Sequence, residues 1–258
     1  MKIAVIGCGV MGGAFARHFA KKHPVILYDR SFEQTQNLAA ECQGVVAESI
    51  EEAAKQADII LLGIKPKDLL GVAEALSEPL VKDKLVISML AGVPLSALKT
   101  HFPHSKLLRV MPNLALTCGQ GVVGMVDQGQ LSKEIMRQID ELFDGMGLNA
   151  WMPESKLEAL TALAASGIGF VFLMLEAMME GGISMGFTSQ ESKDFVLKTM
   201  EGAVALVRET GKHPAELKLN ISSPGGTTIA GLIEMENRGV RSGIINALLT
   251  AYHKAIAK

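Results

Sequence analysis

Two glycines and several hydroxyls stand together at Ser222-Ser223-Pro224-Gly225-Gly226-Thr227-Thr228, directly ahead of the apolar run Ile229-Ala230-Gly231-Leu232-Ile233. A helix starting near Gly226 leaves its first backbone N–H groups without intrahelical acceptors. With the positive end of the helix dipole, those groups suit a small carboxylate. Ser223 and Thr228 add hydroxyls able to hydrogen-bond a polar ring atom. The same residues also read as ordinary local structure, with Pro-Gly-Gly as a turn and Thr227 as a helix cap. The pattern alone leaves both readings open.

A second chemical pattern lies at the other end of the chain. Lys2-Ile3-Ala4-Val5-Ile6 is a short apolar strand that runs into Gly7-Cys8-Gly9-Val10-Met11-Gly12. In such a turn the first glycine allows the tight bend and the second lets a pyrophosphate approach the backbone. The third lets the following helix pack closely on the strand. The context fits, because residues 14–20 read as helix and 24–29 as a second strand ending in an acid. That acid, Asp29, falls twenty residues after Gly9, close to where a dinucleotide fold places the group that reads the adenosine ribose.

One pattern needs a sheet behind it and the other a helix. From residue 1 to 150, short apolar runs alternate with amphipathic stretches, which predicts a parallel sheet with crossover helices. Strands are expected at 2–6, 24–28, 58–64, 85–89, 107–110 and 121–126, with short extended runs near 45–46 and 148–151. Helices are expected at 11–22, 31–42, 49–57, 67–77, 94–100 and 131–144. Ser31 before Gln34 and Ser49 before Glu52 approximate capping boxes. After Trp151-Met152-Pro153 strand signals stop and helical periods take over, including a helix over 227–237. The fold class is therefore α/β: a Rossmann-type parallel-sheet domain over 1–150, then an all-helical domain over 151–258. Within the latter, 159–175 is seventeen residues without a charge, carrying Ser166, Gly167 and Gly169. It lacks the anchors of a membrane span and reads as a helix buried on all sides at a subunit interface.

With 48% hydrophobic residues in 258, the chain has ample material for a core, and a net charge of −2 offers no basic stripe for nucleic acid. Cys8, Cys42 and Cys118 are too scattered for a disulfide framework, and the six histidines show no ligand spacing, so no metal is expected. The histidines fit surface or capping roles. Cys8 reads as a small side chain inside the phosphate turn, with a redox switch as the alternative. No secretory leader pattern precedes the first strand, so a cytoplasmic protein with no membrane or nucleic-acid partner is expected.

Six segments together resemble the pyrroline-5-carboxylate reductase family. They are Gly63-Ile64-Lys65-Pro66-Lys67, Ser88-Met89-Leu90-Ala91-Gly92-Val93, Arg109-Val110-Met111-Pro112-Asn113, Glu180-Gly181-Gly182 with Gly186, His213-Pro214-Ala215-Glu216-Leu217-Lys218, and the run at 223–232. The resemblance implies reduction of the C=N bond of 1-pyrroline-5-carboxylate to L-proline by a hydride from NAD(P)H. It also implies self-association through the C-terminal helices. On the substrate side it implies Thr228 and Ser223 as catalytic hydroxyls, with Glu154, Gly225, Gly226, Thr227 and Thr228 around the ring. On the cofactor side it implies Gly7, Gly9, Val10, Met11, Gly12, Asp29, Arg30, Ile64, Lys65, Pro66, Ala91, Asn113 and Asn220. Ala91 would leave room for the nicotinamide ribose and Asn113 would reach the carboxamide. Arg109 reads as structural.

The chain departs from the family pattern in places. Where the family usually carries Ser-Gly-Ser-Gly-Pro-Ala-Tyr, this chain has Ala164-Ala165-Ser166-Gly167-Ile168-Gly169-Phe170, which implies a reshaped substrate side. Ile50 stands where an asparagine is often found near the adenosine. Asp29 favours the free 2′-hydroxyl of NADH and Arg30 the 2′-phosphate of NADPH. The resemblance points to NADPH, with NADH second. Two alternatives remain beside the reductase: a nucleotide-binding paralogue without turnover, and a 3-hydroxyacid-type dehydrogenase. Phe170-Val171-Phe172-Leu173 counts against the dehydrogenase, because it supplies no acid–base lysine.

Overall fold

The computed structural model describes residues 1–257; Lys258, last residue of the expected 151–258 domain, lies outside them. The chain divides into two units, one holding residues 1–165 and the end of the last helix from Tyr252, the other Ser166–Ala251.

The first unit runs β1 (Ile3–Ile6), α1 (Val10–Phe19), β2 (Val25–Tyr28), α2 (Phe32–Cys42), β3 (Val45–Val46), α3 (Ile50–Gln56), β4 (Ile59–Leu62), α4 (Leu69–Ala75), α5 (Glu78–Val81), β5 (Leu85–Ser88), α6 (Leu95–His101), β6 (Lys106–Pro112), β7 (Gly121–Val126), α7 (Lys133–Phe143), β8 (Gly147–Trp151) and α8 (Leu157–Leu160). Among the described residues, the strands form one sheet in the order β3-β2-β1-β4-β5-β6-β7-β8, parallel except where β6 meets β7. β1, β4 and β5 are buried along their whole length. That is why they read as unbroken apolar runs, since helices cover both faces of the sheet.

Side chains alternate between two cores. Ile3, Val5, Leu27, Leu61 and Ile87 pack with Phe15 and Phe19 of α1 and Phe143 of α7. Ala4, Ile6, Ile60, Leu62 and Val86 pack with Ala53 and Ala54 of α3 and Leu98 of α6. The strand order reverses between β1 and β4, where Ile6 lies beside Leu62. Parallel sheets open a crevice at the carboxyl ends of their strands at such a point.

The expected strands are all present, whereas α5 is additional. The helix expected over 67–77 begins as a 3₁₀ turn at Pro66–Asp68, because Pro66 fixes the entry angle. Ser31 and Ser49 cap α2 and α3 by accepting the N–H groups of Gln34 and Glu52. Neither box closes: the Glu52 carboxylate accepts the N–H of Glu48, one residue before the cap, and the Gln34 amide goes to the Cys8 carbonyl.

A π-helical turn over Thr161–Ser166 leads out of the first unit into α9 (Gly167–Ser184), and the second unit continues with α10 (Ser189–Thr210), α11 (Pro214–Asn220), α12 (Thr227–Asn237) and most of α13 (Val240–Ile256). Thr188 and Glu191 form a complete capping box at the start of α10. The Ser192 hydroxyl donates to the Met179 carbonyl at 2.7 Å, tying α10 to α9. Among the described residues, α11, α12 and α13 bury none of their side chains.

The helical stretch Glu154–Ser184 contains an 18-residue window with a mean hydropathy of 1.9, long and apolar enough to cross a membrane, and only 11% of that window is buried. Within one chain the stretch is therefore open, and the burial expected of it depends on the subunit interface. Phe172 and Leu173 are 54% and 64% exposed in the single chain. Hydropathy shows that a surface needs a cover, and not which chain provides it.

Arg109 of β6 is fully buried and lies between two carboxylates at the start of the helical region. Its Nη1 donates to Glu154 at 3.0 Å and its Nη2 to Glu158 at 2.7 Å. Glu154 also accepts the Leu95 N–H at 2.7 Å and the Gln128 amide. Removing the cation leaves carboxylates of low exposure facing each other without a counter-charge. Arg109→Met is expected to lower stability by about 3 kcal/mol in urea unfolding; an unchanged midpoint would show that the triad holds nothing.

Candidate active site

β1 ends at Ile6 and the chain turns at Gly7 with φ +98°, a conformation that side chains strain against. A Cβ on Gly12 would overlap the Gly7 carbonyl oxygen, so α1 starts this close to β1 only with glycine there. Gly63, just after β4, passes the same point, and a Cβ on it would lie 2.6 Å from that oxygen. Around Gly9 the space is open. No side chain caps α1, so its first N–H groups, at Val10, Met11 and Gly12, keep their partial positive charge for an anion.

Beside this turn lies a cleft of about 500 Å³ that brings together Gly7, Gly9, Asp29, Arg30, Ile64 and Lys65 of the expected cofactor residues. The volume, the open Gly9 and the bare helix start fit a dinucleotide. Val10 is exposed at the start of α1, Met11 packs partly against the core, and Pro66 opens the turn after Lys65. Asp29 is turned inward: one carboxylate oxygen accepts the Cys8 N–H at 2.7 Å and the other the Ser31 N–H at 3.0 Å. Arg30 is exposed and pairs with Asp68 at 3.4 Å. An exposed pair of this kind is weak and leaves the guanidinium available.

Ala91 is half-buried in the turn after β5. Asn113, at the end of β6, accepts the Val122 N–H at 3.0 Å and donates to the Ala164 carbonyl at 3.2 Å, inside the π-helical turn. One amide hydrogen is left over for a ligand. Glu154 stands beside Arg109, its oxygens taken by the donors already described.

In the second unit, Gly225 adopts φ +70° and the Gly226 N–H donates to the Ser223 carbonyl at 3.0 Å. Gly226 is the N-cap of α12, and no side chain caps the helix. Thr227 is its first residue and supplies no cap, so the plain capping reading of this segment fails. The N–H groups at Thr227, Thr228 and Ile229 therefore have no partner from the helix or its cap. Thr228 is half-buried and Ser223 exposed, while Asn220 ends α11.

Several residues of the first site were not singled out from sequence. Tyr28, Lys67 and Asp68 line the cleft, and Gln34 donates to the Cys8 carbonyl at 3.0 Å. Gln34 was hidden because a glutamine three residues after a capping serine reads as part of the cap. His213 caps α11 by accepting the Ala215 N–H on Nδ1. His18 meets the Leu142 carbonyl at 3.2 Å, and its pKa is lowered by burial and by Lys21. Among the described residues, no group of three or more His, Cys, Asp or Glu side chains could hold a metal ion.

Residues 154–257 match the family model described as pyrroline-5-carboxylate reductase dimerisation, and residues 2–92 the one described as NADP oxidoreductase, coenzyme F420-dependent. A pyrroline-5-carboxylate reductase from Synechocystis is 33% identical over 99% of this chain and 97% of its own. One from Glycine max is 34% identical over 96% of this chain and 93% of its own. The crystal structure of the Plasmodium falciparum pyrroline carboxylate reductase with NADP bound has a TM-score of 0.91 at 27% identity, covering 100% of this chain and 97% of that one.

Cys8 is buried, and desolvation with the nearby Asp29 charge pushes its thiol up to about 12. A neutral thiol is a poor nucleophile, which argues against the redox alternative. At pH 8 a maleimide is expected to label the exposed Cys118 and to reach Cys8 only after unfolding. Equal labelling rates in the folded protein would contradict this.

Proposed function

The chain belongs to the pyrroline-5-carboxylate reductase family, and on that premise we propose that it reduces 1-pyrroline-5-carboxylate to L-proline with NADPH. The observation that carries the reading is the uncapped start of α12 behind Gly225 and Gly226, with the Thr228 hydroxyl beside it. Free N–H groups at a helix start suit the ring carboxylate, and a hydroxyl there can hydrogen-bond the ring nitrogen.

The dinucleotide, when bound, supplies the hydride. The protein has little acid–base work to do, because a protonated cyclic imine is already an electrophile. Its task is to hold the ring in one orientation and to keep water out. Gly225, Gly226, Thr227 and Thr228 take the carboxylate, and Ser223 and Thr228 hold the nitrogen. Gly7, Gly9, Val10, Met11 and Gly12 hold the pyrophosphate on the start of α1. Ile64, Lys65, Pro66, Ala91, Asn113 and Asn220 complete the cofactor contacts, and Arg30 with Lys67 supplies positive charge for a 2′-phosphate. The three donors already on the Glu154 carboxylate favour a positioning role through Arg109 over contact with the ring.

Residues 1–150 serve the dinucleotide, and 151–258 serve the ring and self-association. The second copy covers the apolar helices that one chain leaves bare, which favours a protein cover over a lipid one. A cytoplasmic setting suits NADPH chemistry.

The test is NADPH and NADH oxidation at 340 nm with pyrroline-5-carboxylate, beside a six-membered cyclic imine acid. Faster oxidation with the five-membered ring and NADPH is expected, and a protein that binds the dinucleotide yet oxidises it with neither ring would contradict the reading. Thr228→Ala is expected to lower kcat about tenfold with little change in the KM for NADPH. An unchanged kcat would remove Thr228 from the reacting groups.

A further inference from the structure

The peptide group around Cys8 is the middle of the phosphate turn, and side chains from two other elements grip it from both sides. Asp29, at the end of β2, accepts the Cys8 N–H at 2.7 Å. Gln34, in the first turn of α2, donates its amide to the Cys8 carbonyl at 3.0 Å. A closed capping box would return the Gln34 side chain to the Ser31 N–H. Here that N–H goes to the other oxygen of Asp29 at 3.0 Å, which frees Gln34 to reach the turn.

An acid at the end of the second strand of a dinucleotide fold ordinarily offers its oxygens to the ribose hydroxyls. In this chain both oxygens of Asp29 already hold a main-chain N–H. We infer that Asp29 and Gln34 form a clamp that sets the phosphate turn in its binding shape, and that Asp29 reads the turn and not the ribose. Both are positioning residues for the dinucleotide, acting through the Cys8 peptide. The clamp serves NADH and NADPH alike, because the pyrophosphate is common to both. Discrimination between them is left to the cations at the rim, Arg30 and Lys67, which fits a phosphorylated ribose. The inference rests on the reading that this cleft takes NADPH.

The experiment measures Kd for NADPH and NADH from nucleotide fluorescence without substrate, then KM and kcat with pyrroline-5-carboxylate, for wild type, Asp29→Asn and Gln34→Met. Gln34→Met keeps a similar side-chain length and removes the amide that donates to the Cys8 carbonyl, and thermal unfolding confirms that each variant is folded. Both dinucleotides are expected to bind about fivefold more weakly to Gln34→Met and about tenfold more weakly to Asp29→Asn. In both variants the KM for either dinucleotide is expected to rise by a larger factor than kcat falls, since the loss lies mainly in uniform binding. An Asp29→Asn protein that loses affinity for NADH alone would restore the ribose role and overturn the clamp. So would wild-type Kd values for both dinucleotides in Gln34→Met. Because Kd is read without substrate, a wild-type protein that bound NADPH but did not oxidise it would overturn the reductase reading alone, and the clamp would still be decided by the Kd values.

Discussion

Backbone crowding at Gly7, Gly12 and Gly63 is the constraint on which the dinucleotide end of this molecule depends. Three segments, from the ends of β1 and β4 and the start of α1, meet where no Cβ fits. The meeting falls at the reversal of strand order, so the crevice of the sheet and the positive end of α1 open at the same place. The side chains around the turn then have a restricted task. Asp29 and Gln34 hold it, Arg30 and Lys67 add charge at the rim, and Cys8 contributes a small buried group whose thiol stays protonated.

The helical part follows a different rule. Its helices are apolar but bury little within one chain, so their stability depends on a surface from outside. A helix hydrophobic on most of its circumference is stable in water only when covered, and the proposed second copy supplies that cover. At the start of this region, Arg109 joins Glu154 and Glu158 to the sheet. The Asn113 amide meets the carbonyl that the π-helical turn releases at Ala164. These two contacts explain how the helix is anchored at its entry even though most of its length is exposed. The turn overlaps the segment where the sequence departs from the family pattern, and an irregular turn there can redirect the side chains of the following helix.

Local chemistry was legible in the sequence wherever the backbone itself decides. The glycine turn, the strand before it, the start of α12 and the serine caps of α2 and α3 were all foreseen, because turn and cap preferences act over a few residues. Roles that depend on distant partners were not. Asp29 looks like a ribose ligand by position, and only the fold brings its oxygens to the Cys8 N–H. Glu154 looks like an exposed acid in a first helical turn, yet its partners Arg109 and Leu95 lie 45 and 59 residues earlier. The uncharged stretch over 159–175 was seen to need burial, but composition does not say that a single chain leaves it open.

The central claim is that this chain carries a hydride from the dinucleotide to the C=N carbon of pyrroline-5-carboxylate. The most direct measurement uses NADPH with deuterium at the transferable C4 position and unlabelled pyrroline-5-carboxylate, with the product analysed by NMR. The account predicts L-proline with deuterium on the ring carbon next to nitrogen and remote from the carboxylate. Proline without deuterium there, or dinucleotide consumed without labelled proline, would contradict it.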